Sequence, residues 1–392
     1  MLFEEIIGQS DIKRKLLQTV REERVGHAML FVGKEGAGKL GLAIAFARYM
    51  NCENPGAEDS CNDCSSCRKF SKLIHPDLHF VFPVAAKKDA QKSAGKSEGA
   101  TVKATSDKGP VSDDFLVLWR ESVLSNPYMR LFQWYELMGI ENKQGSIGRN
   151  ESRQILKKLS LKSFEARFKV MIIWMAEKMN TSASNTLLKL FEEPPPNTVF
   201  ILIAEDASQI IPTILSRTQI VRIPKIDRKS LEAVLMAKHG ITDSKRIDSL
   251  VRYADGNYLQ LIEEAREGGE INFNLDMFVK LMRLCFVPDI VGIGSWIDGI
   301  SGIGREKQKQ FLQYAIRIIR GSFIINIKAG DIDLLSGEEK EFSDKFSKFV
   351  HPGNVFPICE EFGKAYVHIE YNGYNRLVFF DLAIKIARLL KA

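Results

Sequence analysis

Gly33-Lys34-Glu35-Gly36-Ala37-Gly38-Lys39 carries the glycine and lysine spacing of a phosphate-binding loop. In such a loop the glycines let backbone N–H groups curl round phosphate oxygens. The lysine reaches the β and γ oxygens, and the next residue, Ser or Thr, ligates Mg²⁺. Here the next residue is Leu40, which offers no oxygen to a metal. The chemistry on offer is phosphate binding without the metal that hydrolysis needs, with Gly33, Gly36, Gly38 and Lys39 as vestigial nucleotide-binding residues. Weak, catalytically silent nucleotide binding is expected at most, because the loop and the helix N-terminus persist.

A second constellation is Cys52, Cys61, Cys64 and Cys67, spaced C-x8-C-x2-C-x2-C. Two-residue spacing lets successive thiolates converge on one metal, and four of them complete a tetrahedral Zn²⁺ shell with no open position for chemistry. Structural zinc is therefore expected. Iron–sulfur ligation is the rival, but no Cys-Pro follows and the fourth cysteine lies upstream. Unliganded thiols or disulfides are the remaining alternative, and a reducing cytosol disfavours the latter. Cys285 and Cys359 stand apart, and His75, in His75-Pro76-Asp77, is expected to be a structural turn residue because four thiolates leave it no vacancy.

Nucleotide hydrolysis also needs acids at the end of a second buried strand, to orient Mg²⁺ and the attacking water. The apolar run 170–173 is followed by Trp174-Met175-Ala176-Glu177, so Trp174 and Met175 stand where those acids belong. Glu177 comes two residues late; a surface or helix-capping role is expected for it, and a substitute acid is the alternative.

The elements that must position these residues are apolar runs at 29–32, 170–173, 199–203 and 220–223, alternating with helical patterns such as 40–50. That alternation predicts an α/β domain with a parallel sheet flanked by helices. The segment 85–114, rich in Lys, Ala, Ser and Gly, cannot bury enough apolar surface to offset the entropy of ordering. It is expected to be a mobile insertion, either a solvated tether or a transient DNA contact.

Beyond Pro224 the pattern turns helical, with Asp227 placed to cap a helix ending at His239 and further helices at 243–254 and 258–266. Gly268-Gly269 marks a boundary before amphipathic stretches at 274–285, 306–320, 355–370 and 374–391. The expected domains are 1–224, a P-loop domain with the zinc module at 52–67; 225–268, a small helical lid; and 269–392, an all-α domain. Trp119, Trp134 and Trp296 are expected in cores. A length of 392 residues, 45% of them hydrophobic, suits two or three domains. A net charge of +6 is compatible with a nucleic-acid neighbour but is dispersed along the chain. The sequence has no run of about 20 apolar residues and no signal-peptide pattern at its start, so a soluble, cytoplasmic protein is expected.

Asn185-Thr186-Leu187-Leu188-Lys189-Leu190-Phe191-Glu192-Glu193-Pro194-Pro195 resembles the N-x-L-L-K-x-L-E-E-P-P stretch of clamp-loader AAA+ subunits. Pro212-Thr213-Ile214-Leu215-Ser216-Arg217-Thr218 resembles their P-T-I-L-S-R-C stretch, and Gly8-Gln9 and His27-Ala28 match the same family's opening. With the four-cysteine insertion and the decayed nucleotide site, the chain is similar to the delta-prime family of bacterial DNA polymerase III clamp-loader subunits. The resemblance covers about residues 1–265, and beyond that rests on helical character and length.

The resemblance implies an AAA+ domain, a lid and a helical collar. It also implies a stator of the clamp loader that does not hydrolyse ATP and helps place the sliding clamp on primed DNA. The arginine matching the family's S-R-C motif is Arg217, implied to reach the γ-phosphate of an adjoining ATPase subunit as a trans arginine finger. A planar, always-charged group with five donors suits phosphoryl oxygens. The alternative for Arg217 is an ion pair within the chain, with an acid such as Glu205 or Asp206. Thr218 replaces the motif's cysteine, while Ala204 and Leu259 fall where a polar sensor and a lid arginine would lie. The implied partners are gamma/tau-type ATPase and delta-type subunits in a hetero-pentamer, with the clamp and primed DNA met through the assembly. Two other functions compete: an ATP-hydrolysing motor subunit of the same family, and a zinc-bearing module that binds nucleic acid tightly and salt-sensitively by itself.

Overall fold

The computed structural model describes residues 1–85, 109–140, 145–267, 270–287, 289–328, 335 and 337–391. Its sheet contains β1 (Ala28–Val32), β2 (Leu78–Val81), β3 (Lys169–Trp174), β4 (Thr198–Ala204) and β5 (Gln219–Arg222). The order is β2-β3-β4-β1-β5. Every pairing is parallel, with Leu30 opposite Leu202 and Ile220, and Met171 opposite Phe200. A parallel sheet aligns all strand C-termini along one edge, where α/β ligand sites form. The loops after β1, β3 and β4 therefore share that edge.

Both faces of the sheet are covered, as near-continuous apolar strands require. Met29, Phe31, Ile172 and Ile201 face one core with Phe46, Phe80 and Trp119. Leu30, Met171, Ile173 and Leu202 face the other with Ile155, Leu187 and Phe191. The helix Lys39–Met50 is buried at every position, which explains its apolar sequence all round. It starts at Gly38, whose φ of +84° is a left-handed conformation that glycine adopts freely.

The expected runs each shift by about one residue in the observed strands, and β2 was not foreseen. Its Leu-His-Phe-Val sequence is short and directly follows the His75-Pro76-Asp77 turn, so it carries little alternation to detect. The insertion expected at 85–114 falls mainly outside the described residues. The part that is described runs against the expectation of a mobile segment: Ser112–Phe115 forms a 3₁₀ turn, and Ser112 is buried against Phe82. The Gly268-Gly269 boundary also lies outside the described residues.

The chain forms two compact units, Met1–Val234 with Gly256–Leu259, and Leu235–Asp255 with Gln260–Ala392. The second is helical. Among its helices Glu270–Phe286, Ile290–Ser301, Arg305–Asn326, Val355–Glu370 and Asn375–Leu389 surround a core containing Phe278, Trp296, Phe311, Phe362 and Phe379. Trp296 donates its indole N–H to the Met277 carbonyl at 3.0 Å. Asp227 does cap its helix, accepting from Ser230 N–H at 2.9 Å. Among the described residues no helix is long and apolar enough to cross a membrane.

Candidate functional site

The phosphate-binding loop follows β1, but its interior is taken by the chain's own groups. The buried Lys39 ammonium donates to the Gly33 carbonyl at 2.6 Å and the Lys34 carbonyl at 2.8 Å. Glu35 accepts from Arg130 Nε at 2.7 Å and from Asn257 Nδ2 at 3.2 Å. The Asn257 side chain lies directly against Gly36: a Cβ there would meet Asn257 Oδ1 at 1.9 Å, and the φ of +71° disfavours a side chain independently. Gly33 is equally constrained, since a Cβ would lie 2.4 Å from the Ile223 carbonyl. Gln9 braces the loop from behind, donating to the carbonyls of Ala37 and Pro224 at 3.2 and 2.7 Å.

Three carboxylates bear on Lys39. Burial pushes its ammonium below the ordinary lysine value, and Glu205, Glu177 and Glu35 oppose that shift. Burial likewise raises Glu205 to about 7, with Lys39 pulling it down and Glu35 and Glu177 pushing it up. Glu177 accepts from the Glu205 N–H at 3.0 Å and is itself raised by burial. Glu177 is thus partly buried and does not cap the following helix, whose cap is Asn180: it ties the ends of β3 and β4 together and helps balance Lys39. Sequence reasoning missed this because the partner strand end lies 28 residues away.

The residues singled out in the sequence at metal, water and nucleotide-sensing positions are apolar. Leu40, Trp174, Met175, Ala204 and Leu259 are each at most 5% exposed. Trp174 packs on Trp119, which stacks on Phe82 at 4.2 Å and meets Trp134 edge-on at 5.1 Å. Met175 has a φ of +55°, a strained conformation for a long side chain, held by the burial of its neighbours. Trp119 and Trp134 are core residues, as expected.

Arg217 follows the short helix Pro212–Leu215, with its side chain 35% exposed. Its Nη1 donates to the Thr213 carbonyl at 3.0 Å and Ser216 Oγ at 3.2 Å, and its Nη2 pairs with Glu192 at 2.5 Å. The ion pair within the chain that the sequence offered as the alternative for Arg217 is thus present, with Glu192 in place of the example acids: Glu205 interacts electrostatically with Lys39, and Asp206 caps its own turn by accepting from Ser208 N–H at 2.8 Å.

Cys52, Cys61, Cys64 and Cys67 converge, their sulfurs all within 4.8 Å of one another, close enough to bind one metal ion. Cys61 and Cys67 are 3.9 Å apart at sulfur. That is far beyond the roughly 2.05 Å of a disulfide. It is near the edge of about 3.8 Å that four sulfurs span at about 2.3 Å from a tetrahedral centre. Backbone N–H groups of Cys61, Cys64 and Cys67 donate to the sulfurs of Cys52, Cys61 and Cys64 at 3.2–3.3 Å. Those of Cys64 and Asp63 hold Cys61 down to about 6, while burial pushes Cys52 up to about 12. Four thiolates so close cannot all ionise without a cation among them, and the donor set suits a soft, closed-shell ion. His75 is not part of the set: its Nδ1 accepts from the Asp77 N–H at 3.1 Å and its ring lies 4.6 Å from Phe70.

A family model described as DNA polymerase III, delta subunit, matches residues 8–227. The chain is 25% identical over 224 residues to DNA polymerase III subunit delta' of Bacillus subtilis, covering 57% of this chain and 50% of that protein. It is 24% identical over 269 residues to the tau subunit of the same organism, covering 68% of this chain and 35% of that protein. With DNA polymerase III subunit delta' of Pseudomonas aeruginosa it shares 27% identity over 191 residues, covering 49% and 41%. The chain thus spans half or less of the length of these three relatives. A solved structure of a DNA polymerase III gamma-subunit-related protein from Thermotoga maritima aligns over 96% of this chain and 99% of its own. Its identity is 15% and its TM-score 0.39.

Proposed function

The chain belongs to the DNA polymerase III delta-subunit family of replicative clamp-loader subunits, and on that premise we propose that it is a member that does not hydrolyse ATP. One observation carries this reading: Leu40, Trp174 and Met175, the positions that must supply oxygens to Mg²⁺ and to the attacking water, are buried apolar side chains. The occupied loop supports it. A phosphate entering would have to displace two carbonyls from Lys39 and meet the carboxylates that already balance its charge.

In this reading the chain acts as a stator whose Arg217 completes a neighbouring ATPase site, where a trans arginine stabilises charge on the transferring phosphoryl group. Its partial exposure and its seat beside a short helix support that role. Residues 225–268 form the lid and 269–392 the collar. On the second unit, exposed Tyr374, Leu377 and Phe380 line a groove of about 490 Å³ with Ile297, an apolar surface suited to packing in a ring. The partners are gamma/tau-type and delta-type subunits in a hetero-pentamer, with the sliding clamp and primed DNA engaged through that assembly in the cytoplasm. The four cysteines hold a structural Zn²⁺, which supplies a cross-link and no open coordination position.

ATP turnover by the isolated chain tests the non-hydrolysing reading. Turnover no higher than that of a Lys39→Ala control supports it. Lysine-dependent turnover assigns the chain instead to the motor class.

A further inference from the structure

Glu192 and Arg217 are each fixed from behind. Glu192 ends the helix Thr181–Glu192, and the preceding Phe191 is buried edge-on against Phe200 at 5.0 Å while its carbonyl contacts His27 Nε2 at 3.0 Å. Arg217 follows Ile214, fully buried in the same core as Phe191, and donates its backbone N–H to the Ile214 carbonyl at 3.0 Å. Two anchored backbones thus present a carboxylate and a guanidinium to each other, with 2.5 Å between Glu192 Oε1 and Arg217 Nη2.

The surroundings of the guanidinium are negative. Beyond the Glu192 carboxylate, the Thr213 carbonyl and Ser216 Oγ accept from Nη1, and the C-terminal end of the helix Thr181–Glu192 adds its partial negative charge. Helix C-termini disfavour carboxylates, so the cation relieves a local charge conflict as well as making a pair. Both side chains nonetheless remain open to water, 35% and 46% exposed. An exposed pair is held weakly and opens readily before a stronger anion.

We propose that Glu192 is a parking carboxylate for Arg217. It holds the guanidinium against this chain's own surface until the triphosphate of a neighbouring subunit, with its greater charge, draws it away. Glu192 thereby sets the threshold at which this chain stimulates its neighbour. The proposal rests on the trans-finger reading of Arg217 and adds a positioning residue to it. Thr213 and Ser216 still orient the guanidinium when Glu192 is neutralised, so loss of the carboxylate lowers the threshold without loosening the arginine.

The test uses the full clamp loader reconstituted with wild-type chain, Glu192→Gln, Arg217→Ala or both, with ATP turnover measured with and without primed DNA and clamp. Glu192→Gln is expected to raise unstimulated turnover about two- to fivefold, the range over which an exposed pair biases an equilibrium. The stimulated maximum should stay unchanged, and the Arg217→Ala background should show no effect of Glu192→Gln. Unchanged unstimulated turnover in Glu192→Gln, with Arg217→Ala still reducing stimulated turnover, overturns parking and leaves the finger intact. A Glu192→Gln effect that persists without Arg217, or that lowers both rates in proportion, also overturns it by making Glu192 merely structural. No effect of Arg217→Ala removes the finger reading and the parking together.

Discussion

Lys39 donates its ammonium to the Gly33 carbonyl 2.6 Å away, so the group that would meet a phosphate is already bound to the loop that would cradle it. Leu40, the next residue in the chain, is buried in the core beneath.

Lys39→Met removes a buried ammonium that binds two loop carbonyls and interacts with three part-buried carboxylates, and is expected to destabilise the first unit by about 3 kcal/mol near pH 8, the low end of the cost of breaking a buried charge pair. Glu205, already raised to about 7, takes up a proton as the pH falls. The loss should shrink toward about pH 5. Urea unfolding of both proteins at the two pH values measures it; equal losses at both would exclude the carboxylates as the cause.

Glu151 is 2% exposed, and one of its oxygens accepts the Ser112 N–H at 2.7 Å. Burial raises its carboxyl from 4.5 to about 7. Between those values the folded chain keeps a proton that the unfolded chain has released. Stability from this group is thus fully present below about pH 4.5 and is lost as pH rises through about 7. Glu151→Gln, which retains the acceptor without the charge, should flatten that slope and raise the melting temperature near pH 8 relative to wild type. Parallel melting curves for the two proteins across this range would contradict the assignment.

The aromatic set around Trp174 leaves no room for a charged side chain at that position. Trp174→Asp buries a carboxylate beside Trp119, and a cost of about 3 kcal/mol or more is expected from the lost packing and the unpaired charge. The urea midpoint should fall accordingly, and restored oxygens at Leu40→Thr with Trp174→Asp should yield no stable hydrolytic enzyme. A double variant as stable as wild type and active in ATP turnover would contradict this.

Metal analysis should find one Zn²⁺ per chain, released by a chelator together with a fall in melting temperature. Cys61→Ser and Cys64→Ser should each lose the metal, whereas Cys285→Ser and Cys359→Ser should keep it. Visible absorption typical of an iron–sulfur cluster in the purified protein would transfer the four cysteines to the rival assignment.

The features readable in sequence are those set by local spacing. The loop glycines, the two-residue cysteine intervals and the long apolar strands each declare themselves within a few positions. Long-range partners do not. Arg130 meets Glu35 across 95 residues, Asn257 meets it across 222, and Asp77 gathers the N–H groups of Phe164, Glu165 and Ala166 from 87 to 89 residues away. Glu192 was legible as part of a motif and illegible as the partner of Arg217, because the pairing depends on how two helices end beside each other in the fold.

The most direct test of the trans-finger account is ATP turnover by a clamp loader reconstituted with Arg217→Ala in place of the wild-type chain, with assembly checked by size. The account predicts that the complex forms normally and that the neighbouring site, stimulated by clamp and primed DNA, slows about 10³-fold. An assembled complex whose stimulated turnover matches wild type would falsify the trans-finger role and leave Arg217 as the partner of Glu192 alone.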